Sequence, residues 1–108
     1  MAAAEIRPFR LAVEDGAIAD LKRHLAQVRW PDEAPEPPWR YGTSVDFMRE
    51  LVDYWTGTYD WRKTEAALNA HPQFVTAING FDVHFIKVEG RGPNPKPLLL
   101  SHGWPGSV

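Results

Sequence analysis

The dipeptide Asn79-Gly80 is the feature that most restricts how this chain can fold. Both residue types tolerate a positive φ, which the two-residue type I′ turn requires, and apolar-rich segments flank the pair. The sequence therefore predicts an antiparallel hairpin between residues 74–79 and 81–88. His84 is predicted on the face opposite the apolar one, across from Val75. The predicted register places three pairs on the shared, mostly apolar face: Ile78 with Phe81, Thr76 with Val83, and Phe74 with Phe85.

A second constraint lies in the segment P-L-L-L-S-H-G-W-P-G-S-V, from Pro97 to Val108. The uninterrupted apolar run Leu98–Leu100 predicts a strand that is buried on both faces, as in parallel sheets. A glycine just after such a strand permits a sharp turn with bare backbone N–H groups. Loops of this kind supply one oxyanion-hole donor in α/β-hydrolases. A plain strand-to-loop turn with a buried Trp explains the same residues, and in either case the Trp104-Pro105 bond can be cis.

Three helices are predicted before the hairpin from apolar residues at helical spacing. Residues 1–13 are predicted to be extended, and the proline-rich stretch 31–38 is predicted to be a stiff connector. Capping and helix-stopping residues set the predicted helix limits: Asp15 and Pro31 for the first, Thr43 (with Asp46 as a capping box) and Gly57 for the second, Asp60 and about Asn69 for the third.

Composition restricts the functional class. The chain has 108 residues, 44% of them apolar, a formal net charge of -2 and no cysteine. These values indicate a soluble globular domain and argue against a nucleic-acid or anionic-membrane partner. Neither a signal peptide nor a membrane-spanning segment is predicted, so a cytoplasmic location is the expectation.

The order of elements predicts an α/β fold, which is α+β when this region is taken alone. A helical extension over residues 1–72 precedes the first strands of an α/β sheet over residues 73–108. The histidines do not share a metal-ligand spacing, and the glycines match neither phosphate-binding nor dinucleotide-binding loops. No metal and no cofactor are therefore predicted. The three tyrosines, Tyr41, Tyr54 and Tyr59, are interpreted as packing residues.

Many short segments in one order resemble the N-terminal region of the microsomal-type epoxide hydrolases. The similarity covers nearly the whole chain, and the order of the pieces is more specific than any single one. The matching pieces are I-R-P-F (6–9), R-W-P-D-E (29–33), W-R-Y-G (39–42), L-V-D-Y-W (51–55), Y-D-W-R (59–62), E-A-A-L-N (65–69), P-Q-F (72–74), V-H-F-I (83–86) and P-L-L-L-S-H-G-W-P-G-S (97–107).

The resemblance implies an α/β-hydrolase fold with a helical lid and a wrapping N-terminal extension. In this family an Asp attacks the epoxide while two lid tyrosines bind the ring oxygen. A His with an acidic partner then activates water to hydrolyse the alkyl-enzyme ester. The resemblance implies that the Trp104 backbone N–H binds the oxyanion of that second step, with His102, Gly103 and Pro105 shaping the loop.

The other catalytic groups of the family would lie beyond Val108. The chain is therefore expected to be the N-terminal part of an epoxide hydrolase and to be inactive by itself. Its expected partner is the remaining hydrolase domain, and an epoxide is its expected substrate only when that domain is present. The alternative is an interaction module that pairs with a separate hydrolase chain or with a second copy of itself. The apolar run Leu98–Leu100 favours some partner, because an unpaired central strand leaves an exposed edge.

Overall fold

The computed structural model describes residues 5–35 and 37–107. Backbone proximity divides the chain into two compact units, residues 5–11 with 64–107 and residues 12–63. The predicted extended conformation of residues 1–4, and the predictions for Glu36 and Val108, lie outside the described residues. The elements are β1 (Ile6–Phe9), α1 (Asp15–Ala26), α2 (Val45–Gly57), α3 (Trp61–Asn69), β2 (Gln73–Ile78) and β3 (Phe81–Ile86).

The hairpin formed by β2 and β3 confirms the predicted register. Phe74 pairs with Phe85, Thr76 with Val83 and Ile78 with Phe81, while His84 lies opposite Val75. The turn residues Asn79 and Gly80 have φ of 51° and 83°, so both adopt the left-handed conformation that a type I′ turn needs. The rings of Phe74 and Phe85 stack with their centroids 5.7 Å apart.

The first strand, β1, extends this hairpin into a three-stranded antiparallel sheet with the order β1-β2-β3. Ile6 lies opposite Thr76 and Phe9 lies opposite Gln73. The Thr76 hydroxyl also donates to the Glu5 carbonyl at 3.1 Å. The sequence predicts an extended conformation here but not a strand partner, because pairing over such a long stretch of chain leaves no local signal.

Helix α1 begins at Asp15 with Glu14 as its N-cap, one residue before the predicted cap. Asp15 lies instead in the first turn, where its carboxylate pairs with Arg62. The negative charge of Asp15 also interacts favourably with the positive end of the helix dipole. Helix α2 begins after Ser44, so the predicted capping box at Thr43 is wrong by one residue. The Ser44 hydroxyl accepts a hydrogen bond from the Phe47 backbone N–H at 3.4 Å, which is the usual role of a serine cap.

Helix α3 follows the prediction closely. The Asp60 carboxylate accepts a hydrogen bond from the Arg62 backbone N–H at 2.9 Å and so caps the helix. The helix ends at Asn69, just before the His71-Pro72 pair. Proline cannot continue a helix and disfavours a helical residue before it, so the pair stops the helix where the sequence predicts.

The predicted buried strand at Leu98–Leu100 is wrong for this structure. Residues 87–107 contain neither helix nor strand, and the three leucine side chains are 80%, 92% and 81% exposed. A strand exists only through hydrogen bonds to a neighbouring strand, and the described part of the chain provides no such neighbour for this segment. An apolar run therefore predicts burial correctly only when the covering element is present.

Burial is low throughout the described residues. None of their apolar side chains is buried, and the buried residues are Ser44 and Gln73, each 5% exposed. No described helix combines the length and the apolar character that crossing a membrane requires. The division into an extension over 1–72 and a core start over 73–108 stays a prediction.

Candidate functional site

The predicted site residues lie together in one exposed loop, His102–Gly106, called the 102–106 loop below. The Gly106 backbone N–H donates to the Gly103 carbonyl at 2.6 Å, which closes a four-residue turn. The Trp104-Pro105 peptide bond is cis, one of the two isomers that an X-Pro bond can adopt. A turn with a cis proline at its third position is a type VI turn.

Glycine is required at position 106 of this turn. A Cβ on Gly106 would lie 2.8 Å from the Gly103 carbonyl oxygen, closer than real Cβ contacts come. A Cβ on Gly103, in contrast, would meet no atom within 4 Å. Gly103 is predicted to shape the loop and Gly106 is not, although Gly106 is the second glycine of the H-G-W-P-G segment.

His102 contacts the same carbonyl oxygen. Its Nδ1 lies 3.2 Å from the Gly103 oxygen. A carbonyl oxygen only accepts hydrogen bonds, so Nδ1 must carry the proton in this contact. The Gly103 oxygen therefore accepts from two donors, the Gly106 backbone and the His102 ring.

Trp104 projects from the loop, with 96% of its surface exposed. Among the residues that the structure describes, none accepts a hydrogen bond from its backbone N–H. An N–H group that is fixed in a turn and open to solvent can bind a developing negative charge on an oxygen atom. The loop therefore offers one donor of the kind that an oxyanion hole needs.

A polar network in the unit 5–11 with 64–107 joins the segment after β1 to the C-terminal end of α3 and the start of β2. The Asn69 side-chain amide accepts from the Leu11 N–H at 2.9 Å and donates to the Leu11 carbonyl at 2.7 Å. Gln73 Nε2 donates to the Leu68 carbonyl at 2.9 Å. Gln73 Oε1 lies 2.9 Å from His84 Nε2, so His84 donates there. These contacts explain His84 as a structural residue.

The unit 12–63 contains an apolar cavity of about 460 Å³. Two of the three tyrosines interpreted as packing residues, Tyr54 and Tyr59, line it, with ring centroids 6.3 Å apart. Tyr41 does not line it and is 71% exposed, so the packing interpretation is wrong for Tyr41. Within residues 5–35 and 37–107, no group of His, Asp and Glu side chains could hold a metal ion. The cavity is lined by Val13, Ala17, Ile18, Leu21, Leu51, Tyr54, Trp55, Tyr59 and Trp61.

Comparison with known proteins assigns the chain to a family. Residues 6–108 match the family model described as the epoxide hydrolase N terminus. The chain is 39% identical over 105 residues to epoxide hydrolase 1 of Sus scrofa, covering 94% of this chain and 23% of that protein. It is 34% identical over 105 residues to juvenile hormone epoxide hydrolase 2 of Ctenocephalides felis, with the same two coverages.

A solved structure supports the same relationship. The crystal structure of juvenile hormone epoxide hydrolase from the silkworm Bombyx mori is similar with a TM-score of 0.72 and 25% identity, over 84% of this chain and 24% of that one. The chain belongs to the epoxide hydrolase N-terminal family, and it spans about a quarter of the length of these relatives.

Proposed function

We propose that this chain is the N-terminal part of an epoxide hydrolase and supplies one oxyanion-hole donor, the Trp104 backbone N–H. The observation that carries the proposal is the 102–106 loop, in which a tight turn leaves that N–H without an acceptor among the described residues. Membership of the epoxide hydrolase N-terminal family supports it. His102, Gly103 and Pro105 shape the loop in this proposal.

The proposed reaction has two covalent steps. A carboxylate oxygen of the hydrolase domain attacks an epoxide carbon, the ring C–O bond breaks, and an alkyl-enzyme ester forms as the ring oxygen takes a proton from a tyrosine. A His then removes a proton from water, and the hydroxide attacks the ester carbonyl carbon. The tetrahedral oxyanion collapses and the ester C–O bond breaks. The leaving alkoxide takes the proton of the new carboxyl group, which releases the diol and regenerates the carboxylate, and the proton held by the His returns to the tyrosinate.

The Trp104 N–H acts in the second step of this scheme. Negative charge develops on the ester carbonyl oxygen when hydroxide adds, and a fixed N–H aimed at that oxygen stabilises the transition state more than the ground state. No particular side chain is needed for this role. The exposed Trp104 ring lines the substrate pocket in the same proposal.

The experiment that tests the proposal is a chimera in which residues 6–107 replace the matching region of the Bombyx mori enzyme, called the chimera below. It is assayed with juvenile hormone, the substrate in that enzyme's name. We expect diol formation by the chimera, and none by this chain or by the silkworm remainder alone. A chimera that is folded by circular dichroism and elutes at its calculated mass, yet forms no diol, contradicts the proposal.

A second candidate function is favoured by the exposed leucines. Leu98, Leu99 and Leu100 form a contiguous apolar segment, and such segments on soluble proteins mark interaction surfaces. In this alternative, the chain is an interaction module that pairs with a separate hydrolase chain or self-associates. Light scattering distinguishes a monomer from a dimer of the purified chain. A stable dimer supports self-association, and a monodisperse monomer that does not bind an added hydrolase fragment contradicts the alternative.

A further inference from the structure

The peptide unit between Gly103 and Trp104 is held through its carbonyl oxygen. The only cis bond recorded in the described residues is Trp104-Pro105, so the Gly103-Trp104 peptide is trans. In a planar trans peptide, the carbonyl of the first residue and the N–H of the second point in opposite directions. Whatever holds the Gly103 oxygen therefore also sets the direction of the Trp104 N–H.

Two donors hold that oxygen. The Gly106 N–H lies 2.6 Å from it and the His102 Nδ1 lies 3.2 Å from it. A rotation of the peptide by half a turn would break both hydrogen bonds and would point the carbonyl where the N–H now points. The rotated loop would present a negative dipole to an incoming oxyanion, which is repulsive.

We propose that His102 and Gly106 are positioning residues that lock the Gly103-Trp104 peptide, so that the Trp104 N–H faces outward before any substrate is bound. His102 contributes through its ring nitrogen, and Gly106 contributes through its N–H and its lack of a Cβ. These two contacts are called the lock below. The lock rests on the proposed function only for the reason why the orientation of the N–H matters, since the hydrogen bonds themselves can be measured on the chain alone. It extends the site to Gly106, beyond His102–Pro105.

Nuclear magnetic resonance on the complete 108-residue chain tests the lock. We expect a scalar coupling through the hydrogen bond between the Gly106 nitrogen and the Gly103 carbonyl carbon. We also expect the Gly106 amide to exchange with solvent about two- to tenfold more slowly than the Trp104 amide, once each rate is corrected for its intrinsic sequence dependence. No coupling together with equal corrected rates overturns the proposal.

The two glycines offer a matched pair of variants. Gly106→Ala places a Cβ 2.8 Å from the Gly103 oxygen, so the coupling should disappear and the residue 106 amide should exchange as fast as the Trp104 amide. Gly103→Ala has open space around the new Cβ, so the coupling should persist. If the coupling survives Gly106→Ala, then Gly106 does not act as proposed.

Two variants of His102 with side chains of similar size test whether its ring nitrogen acts as a donor. His102→Asn keeps an N–H donor near the Nδ1 position, whereas His102→Leu removes the donor. We expect His102→Leu to shift the Gly103 carbonyl carbon resonance upfield, as loss of an accepted hydrogen bond does, and His102→Asn to restore most of that shift. Equal spectra for the two variants contradict a role for the ring nitrogen.

The chimera separates the lock from the proposed function. In single-turnover kinetics, Gly106→Ala should slow ester hydrolysis by about 10²-fold, the usual effect of a misplaced catalytic group, and leave ester formation within a few-fold. The alkyl-enzyme ester should then accumulate, and KM should fall together with kcat. Normal ester hydrolysis in Gly106→Ala overturns the lock but not the proposed function. A parent chimera that is folded but inactive overturns the proposed function, and the hydrogen-bond measurements then decide whether the lock exists.

Discussion

Arg7 and Asp82 form an ion pair across the sheet, although their strands are not neighbours. The guanidinium nitrogen lies 3.2 Å from the carboxylate oxygen, and β2 runs between the two strands. Residues Val75 and Ala77 on β2 are small enough for longer side chains to reach over them. Phe9 and His84 make the same crossing, with their ring centroids 4.9 Å apart. These two contacts link β1 to β3 directly.

The ion pair is expected to contribute little to stability. Its side chains are 53% and 67% exposed, so water screens the attraction. A double-mutant cycle with Arg7→Ala and Asp82→Ala should give a coupling of about 0.2–1 kcal/mol in the free energy of unfolding. The coupling should shrink in concentrated salt. A coupling that is larger than this and insensitive to salt contradicts the assignment as a surface pair.

The hairpin turn should be sensitive at Gly80. Its φ of 83° suits glycine, and a Cβ in that conformation costs about 1–2 kcal/mol. Gly80→Ala should lower the free energy of unfolding in urea by that amount. Gly42→Ala is the matched control, because its surroundings are open and its φ is not in the left-handed region. Equal losses in the two variants contradict this account of the turn.

Asn69 should be the most sensitive polar side chain of its unit. Its amide satisfies both the N–H and the carbonyl of Leu11, and both contacts are partly buried. Asn69→Leu should cost about 1–3 kcal/mol in urea denaturation, because it leaves two backbone groups without partners. Asn94→Leu, in the exposed loop, should change stability by less than about 0.5 kcal/mol. The prediction fails if both variants behave alike.

The leucine segment should respond differently in the chain and in the chimera. Leu99 is 92% exposed, so Leu99→Lys should change the stability of this chain by less than about 0.5 kcal/mol. If the hydrolase domain covers the segment, the same change should destabilise the chimera by about 1.5–3 kcal/mol, the value of burying a leucine. Asn94→Lys controls for the added charge. Thermal unfolding of both proteins measures the difference, and equal small effects argue that the segment stays uncovered.

Local sequence signals predicted the local structure well. The Asn79-Gly80 turn settles the β2–β3 register because turn type and side-chain alternation together allow only one pairing. The predicted caps of α1 and α2 were each wrong by one residue. Ser44 stands beside Thr43, which is a comparable cap, whereas Glu14 precedes α1 without a side-chain cap hydrogen bond and Asp15 lies in the first turn. The Asp60 cap had no such competitor and was confirmed.

Features that depend on distant residues could not be predicted in the same way. The pairing of β1 with β2 joins segments more than half the chain apart, and no local pattern marks it. The prediction of a strand at Leu98–Leu100 was wrong because an apolar run indicates burial against a partner. It does not indicate that a neighbouring strand is present among the described residues. At the candidate site, residue types indicated the 102–106 loop, but the need for glycine at 106 follows from a distance that only the fold supplies.

The most direct test of the proposed function replaces the Trp104 backbone N–H with an ester oxygen in the chimera, by incorporating the α-hydroxy analogue of tryptophan. Trp104→Phe is the control, because it changes the ring and keeps the N–H. The coupling between Gly106 and Gly103 verifies that the turn survives each change.

We predict that the backbone ester slows hydrolysis of the alkyl-enzyme intermediate by about 10²- to 10³-fold, as loss of an oxyanion donor does, and that Trp104→Phe stays within about tenfold of the parent. An intact turn with unchanged hydrolysis in the ester variant would contradict the assignment of the Trp104 N–H as the oxyanion donor.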